Sequence, residues 1–78
     1  MKHTDDILIA KVFTFCIKHP RTIDEISFKV YGNHYAKNVL RAFRCVEVLI
    51  SENILTPKMN GGCLRFQVDR EMVKELLS

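Results

Sequence analysis

The sequence predicts a small, mainly α domain closed by one β-hairpin, an α+β chain, and three observations predict it. Four stretches carry apolar residues at helical spacing, each with a start or stop signal at its ends. One stretch, Leu64 to Val68, alternates apolar with polar residues, the period of a half-buried strand. Just ahead of it, Asn60-Gly61 is a strong two-residue hairpin signal, because both residues tolerate positive φ. The chain has 78 residues, 47% of them hydrophobic and 27% charged, which fits one folded domain and leaves no room for a second core.

The first helix is expected over about residues 5–18. Thr4 is its N-cap, Asp5 and Asp6 lie near the positive end of its dipole, and Pro20 follows its end. Lys11, Thr14 and Lys18 make a narrow polar stripe, while Leu8, Ile9, Val12, Phe13, Phe15, Cys16 and Ile17 cover most of the circumference. A helix so apolar is covered on more than one side. One side faces the core; the other is either a dimer seam or packing under the last helix.

Thr22-Ile-Asp-Glu25 has the spacing of a capping box, which sets a second helix at 23–31 with Ile23, Ile26 and Val30 inward. Phe28 falls off that stripe. Gly32 is placed to leave the helix in a left-handed conformation, so Gly32-Asn33 reads as a tight turn. A third helix is expected over 34–51. Its inward face is Ala36, Val39, Leu40, Phe43, Val46, Leu49 and Ile50, and His34, Lys37, Asn38, Arg41, Arg44 and Cys45 lie opposite. The hairpin is expected over 54–68. Asp69 then caps a last helix over 70–77, with Met72, Val73, Leu76 and Leu77 on one face.

The net charge of +3 matters less than its distribution. From Ile26 to Val46 there is no acid and there are four bases, Lys29, Lys37, Arg41 and Arg44. From Asn53 to Val68 there are Lys58 and Arg65, again with no acid. These two segments carry +6 and the remainder −3, the segregation expected for a polyanion partner. The competing reading is a solvated face. Cys16, Cys45 and Cys63 form no Cys-x-x-Cys pair and cannot all pair within one chain, so they read as reduced core residues, with a disulfide as the alternative.

The order helix, short helix, tight turn, long helix, hairpin resembles the winged helix-turn-helix superfamily of DNA-binding domains. The likeness rests on Thr22-Ile-Asp-Glu-Ile-Ser27, Tyr31-Gly-Asn33, Val39-Leu-Arg-Ala-Phe43, Glu47 to Leu55, Gly61-Gly62 and Leu64-Arg-Phe66. It covers about Thr4 to Val68. The resemblance implies a three-helix core plus wing, extended here by a short C-terminal helix. It also implies that outward residues of the third helix read DNA while the wing contacts phosphates. Ile26 matches the buried aliphatic of the second helix, and Ser27 the small residue beside it. The wing departs from the pattern in being short, with Lys58 as the one base near its tip. Small size and the added helix are also similar to compact regulators of archaea and their viruses or plasmids.

The residues suit that role chemically. Arg41 and Lys37 can donate to guanine or phosphate, Asn38 has the donor and acceptor that match adenine, and His34 lies where N-terminal residues meet base edges. Lys29, Arg44, Lys58 and Arg65 are placed to hold phosphates. His34 is equally suited to hydrogen bonding within the turn, Tyr35 to a phosphate contact or to covering the domain edge, and Arg65 to pairing with Glu47 or Glu52.

No Gly-rich phosphate loop, nucleophile elbow or His-Glu-x-x-His occurs, and His3, His19 and His34 lack zinc-ligand spacing, so the chain does not read as an enzyme or a metal protein. No cofactor and no small-molecule ligand is expected. Nor is a membrane span, since no apolar run approaches ~20 residues. A cytoplasmic, nucleoid-associated protein follows, or one in the host cytoplasm if a virus or plasmid encodes it. The expected function is sequence-specific binding of double-stranded DNA as a transcription regulator, with helix 34–51 in the major groove. A homodimer through the first and last helices is the expected assembly. The alternatives are a winged-helix protein-interaction module and a non-specific nucleoid or replication protein.

Overall fold

A computed structural model describes the backbone of residues 2–77 and the side chains of residues 6–75. Its elements run α1 (Lys2–Lys18), α2 (Ile23–Tyr31), α3 (Ala36–Ser51), β1 (Leu55–Asn60), β2 (Cys63–Val68) and α4 (Arg70–Leu77). The mainly helical α+β class expected from the sequence is observed. Helix α1 begins at Lys2, ahead of the expected start, and the capping role expected of the Thr4 side chain lies outside the described residues.

Helix α2 is bounded where its residues dictate. The amide of Glu25 donates to Thr22 Oγ1 at 3.2 Å, and the amide of Thr22 donates to Glu25 Oε1 at 2.9 Å, closing the capping box. Gly32 leaves the helix at φ 81°, a conformation costly for any residue with a Cβ. The turn beyond is held by Asn33. Its Oδ1 accepts from the Tyr35 amide at 3.1 Å and from Asn38 Nδ2 at 2.7 Å, while Ser27 Oγ donates to its carbonyl at 2.8 Å.

Because Asn33 and Tyr35 form this turn, α3 starts at Ala36, and His34 lies outside the helix that was expected to include it. The C-terminus of α3 is a Schellman motif built on Asn53 at φ 63°. The Ile54 amide donates to the Leu49 carbonyl and the Asn53 amide to the Ile50 carbonyl, both at 2.9 Å.

The core joins Val12 and Cys16 of α1, Ile26 of α2, Ala42, Cys45, Val46 and Leu49 of α3, and Leu55, Phe66 and Val68 of the hairpin. Small residues are prominent among the buried ones: Cys16 on α1, Ser27 on α2, Ala42 and Cys45 on α3. Small side chains let helix backbones approach closely, and α3 turns the side that carries Ala42 and Cys45 inward. That face differs from the expected one. Asn38, Ala42, Cys45, Val46 and Leu49 are buried, whereas Ala36, Leu40 and Phe43 are exposed, Leu40 by 54% and Phe43 by 38%. The helix is rotated about its axis relative to the sequence expectation.

The hairpin register pairs Leu55 with Val68, Pro57 with Phe66 and Met59 with Leu64 on its inner face. The outer face carries Thr56 opposite Gln67, Lys58 opposite Arg65 and Asn60 opposite Cys63. The two turn residues are therefore Gly61 (φ 62°) and Gly62 (φ 84°), one step beyond the expected Asn60-Gly61. Two glycines meet the positive φ of a type I′ turn without the Cβ strain that Asn60 would carry.

On its other edge, Phe66 exchanges both backbone hydrogen bonds with Arg21, at 2.9 and 2.7 Å. Phe66 thus turns its N–H and C=O away from β1, and Pro57 opposite needs no donor there. Helix α4 is capped by Asp69, whose Oδ1 accepts from the amides of Glu71 and Met72 at 3.1 and 3.2 Å. Its Val73 packs on the core beside the partly buried Phe13 and Ile54. Ile9, Ala10 and Phe13 of α1 line an open pocket with Leu49, Ile54 and Val73, so that side of α1 is only partly covered among the described residues. The remainder of the expected seam, Leu76 and Leu77, lies outside the described residues as far as side chains are concerned.

Candidate nucleic-acid interface

Three cations share one exposed flank of α3. Lys37, Arg41 and Arg44 follow at four- and three-residue spacing, which stacks them on neighbouring turns. All three are exposed, and among the described residues none meets a carboxylate. From Lys37 to Arg44 the stripe extends about 10 Å at 1.5 Å per residue, close to the rise of three base pairs. Beside it runs a second exposed strip, Ala36, Leu40 and Phe43, ending at Glu47. The accessible flank of α3 is therefore half cationic and half apolar over its first turns and acquires an acid only beyond Arg44.

Asn38 is not part of this flank. Its side chain is only 8% exposed and its Nδ2 donates to Asn33 Oδ1, so the packing holds it off the exposed flank on which the adenine-reading role was expected. The reason is local: an amide buried at the first turn needs a partner, and the acceptor is supplied five residues back by the turn. Cys45, also expected on the outward side, is buried between α1 and α3.

The remaining expected residues fall at different places. His34 is exposed in the turn, its ring 6.1 Å from that of Phe28 and tilted by 35°. This accounts for Phe28, which stays out of the core and stands beside the turn. Tyr35 is the N-cap residue of α3, 70% exposed, with no capping bond from its hydroxyl. Lys29 sits on α2 with its Nζ 5.7 Å from the centroid of the Phe15 ring, so it faces α1, away from the α3 stripe.

Lys58 and Arg65 stand opposite one another on the outer face of the hairpin. Like charges in that arrangement repel unless an anion lies between or beside them. Arg65 finds one within the chain: its Nη1 is 3.4 Å from Glu25 Oε1, rather than pairing with Glu47 or Glu52. Both members of that pair are substantially exposed, so the bond contributes little to stability. Among the described residues Lys58 meets no carboxylate.

The structure thus brings Lys37, Arg41 and Arg44 together, and Lys58 with Arg65, and leaves Lys29, His34 and Tyr35 apart from both groups. Sequence reasoning misses the exposed apolar strip, because helical period alone places Leu40 and Phe43 on the inward face. It also misses a cationic cleft between α1 and α2, whose residues come from separate segments. Burial pushes the Cys16 thiol up to about 11, more than the neighbouring Arg21 can offset, so it is held protonated and is no candidate nucleophile at neutral pH. Among the described residues no helix is long and apolar enough to cross a membrane. Comparison with protein-family models, curated proteins and solved structures returns no match.

Proposed function

We propose that this chain binds double-stranded DNA sequence-specifically, as a winged helix-turn-helix regulator that lays α3 in the major groove and sets the hairpin against the phosphate backbone. The observation that carries this reading is the exposed stripe Lys37, Arg41 and Arg44, free of carboxylate partners among the described residues. The order of helix, capped short helix, Asn33 turn, α3 and hairpin supports it.

With Asn38 buried, the offered flank has donors and methyl-bearing side chains and no side-chain amide. Arginine and lysine donors match the O6 and N7 acceptors of guanine, and apolar side chains pack on the C5-methyl of thymine. The site read by Lys37, Arg41 and Leu40 is accordingly guanine- and thymine-bearing on the contacted edges. Lys58 and Arg65 serve as phosphate contacts, which position the domain without reading sequence. Two copies related by a two-fold axis would read half-sites about 34 Å apart.

Selection from random duplex DNA, followed by competition between the selected site and random duplex, tests the reading. A specific reader gains roughly 10³- to 10⁷-fold for its site. Equal affinity for both duplexes turns the protein into a non-specific DNA binder, and no binding removes the reading.

The exposed strip Leu40 and Phe43 favours a second reading, a protein-interaction module, because solvated apolar side chains on a helix are a common docking feature. Leu40→Ser separates the two. Loss of base preference in a folded variant places Leu40 on DNA; unchanged duplex binding leaves the strip for a protein.

A further inference from the structure

Between α1 and α2 lies an open cleft of about 790 Å³. Four cations border it, Lys11 and Lys18 from α1, Arg21 from the connection and Lys29 from α2, and among the described residues no carboxylate does. Its apolar part is formed by Ile7, Ala10 and Phe15. Ile7 is 57% exposed, with nothing over it among the described residues.

Arg21 is the fixed point of this cleft. Its backbone is tied to Phe66 by two hydrogen bonds, its Nε donates to the Phe15 carbonyl at 3.2 Å, and its guanidinium carbon stands 3.8 Å from the Phe15 ring centroid. Three constraints hold the group in place, yet among the described residues neither Nη nitrogen is hydrogen-bonded to an acceptor. A guanidinium immobilised with its outer donors open is preorganised for a two-oxygen anion, because little rotamer entropy remains to be lost on binding. Lys29 Nζ, over the same ring at 5.7 Å, adds a second charge to that point.

We infer that this cleft is a binding site for a small organic anion, a carboxylate or phosphate ester with an apolar body. The head is taken by Arg21 and Lys29, and the body lies along Ile7 and Ala10, one turn apart on α1. A bare inorganic ion would leave the apolar part unused. Small-ligand sites commonly combine such an apolar wall with a few fixed polar groups. The inference is independent of the proposed DNA contacts of α3 and the hairpin, since none of these residues belongs to either, and it gives Lys29, expected from the sequence to hold a DNA phosphate, a different anion.

The test is a titration of the ¹⁵N-labelled full chain with octanoate, phenyl phosphate and inorganic phosphate, followed by amide shifts. Saturable shifts confined to α1, Arg21 and α2, at least tenfold tighter for one organic anion than for inorganic phosphate, support the site. The relative strength of octanoate and phenyl phosphate then selects between an aliphatic carboxylate and an aromatic phosphate ester. Lys29→Gln removes an exposed charge without a structural hydrogen bond and is expected to weaken the tighter anion at least threefold in a folded protein. Shifts spread over the surface, equal response to inorganic phosphate, no saturation, or an unchanged affinity in Lys29→Gln would each overturn it.

Discussion

Asn38 Nδ2 donates to Asn33 Oδ1 across 2.7 Å, and this one bond ties the first turn of α3 to the turn that precedes it. The same oxygen accepts the Tyr35 amide, so Asn33 organises both the chain reversal and the start of the helix. Asn38 is therefore a folding residue beside the exposed Lys37.

Asn38→Ala is expected to lower stability by about 1 kcal/mol, the usual net worth of an intramolecular hydrogen bond. Urea unfolding measures it. Base preference in the folded variant should match the wild type. A changed preference at one base pair would return Asn38 to the reading surface.

The rotation of α3 makes opposite demands on two leucines. Leu49 is buried against Val12 and Leu55 in the shared core, and Leu49→Ala is expected to cost roughly 2–5 kcal/mol by loss of burial and a residual cavity. Leu40 is mostly exposed, and Leu40→Ala should change stability by no more than about 0.5 kcal/mol. Thermal melts of the pair decide the matter. Comparable losses would show that the flank drawn from sequence is the buried one.

The bounds of α2, the start of α4 and the second hairpin strand were legible because single residues mark them, Thr22 and Glu25, Gly32, Asp69 and the alternating Leu64, Phe66, Val68, whereas the starts of α1 and α3 and the turn residues fell elsewhere. The buried face of α3 was not. Apolar residues surround much of that helix, so period alone supports Leu40 and Phe43 inward as well as Ala42 and Cys45. Close packing chose the small pair, and the Asn33 acceptor drew Asn38 in with them. Cross-chain relations such as Arg65 with Glu25, or Arg21 over Phe15, join residues far apart or on different elements, and no local spacing announces them. Charge counted along the chain finds Lys37, Arg41 and Arg44 because one helix holds them, and overlooks the cleft because two helices and a connection share it.

Cysteine chemistry should follow burial. Cys16 and Cys45 are buried and Cys63 is exposed near the hairpin turn, so iodoacetamide is expected to modify Cys63 alone in the native protein. Mass mapping after a short exposure checks this. Early modification of Cys16 would mean that α1 opens readily.

The Cys16 thiol also predicts an alkaline loss of stability. Desolvation raises it from 9.0 to about 11 in the fold. Below the lower value both states are protonated and the contribution is fully present. As pH rises between the two, the unfolded thiol ionises while the folded one does not, so stability is lost through that interval. At about 1.4 kcal/mol per unit, the effect is of order 2 kcal/mol. The stability difference between wild type and Cys16→Ala should narrow accordingly from about pH 8 to about pH 11. A difference independent of pH would show the thiol to be unshifted.

Two cations on different elements should fail in different ways when removed. Lys58 stands on the outer face of the hairpin, opposite Arg65, where a phosphate contact carries no sequence information. Lys58→Ala is expected to weaken every duplex alike and to reduce the salt slope by about 0.9, the release of one counterion. Arg41 lies at the middle of the α3 stripe, and Arg41→Ala should relax preference at one base pair by about 1–3 kcal/mol if its guanidinium grips a guanine. Titrations of both variants on the selected site and on single-base variants, at two salt concentrations, separate the roles. Should Arg41→Ala lose the same amount on every sequence, Arg41 holds phosphate as Lys58 does, and base reading must then come from Lys37 and the apolar strip.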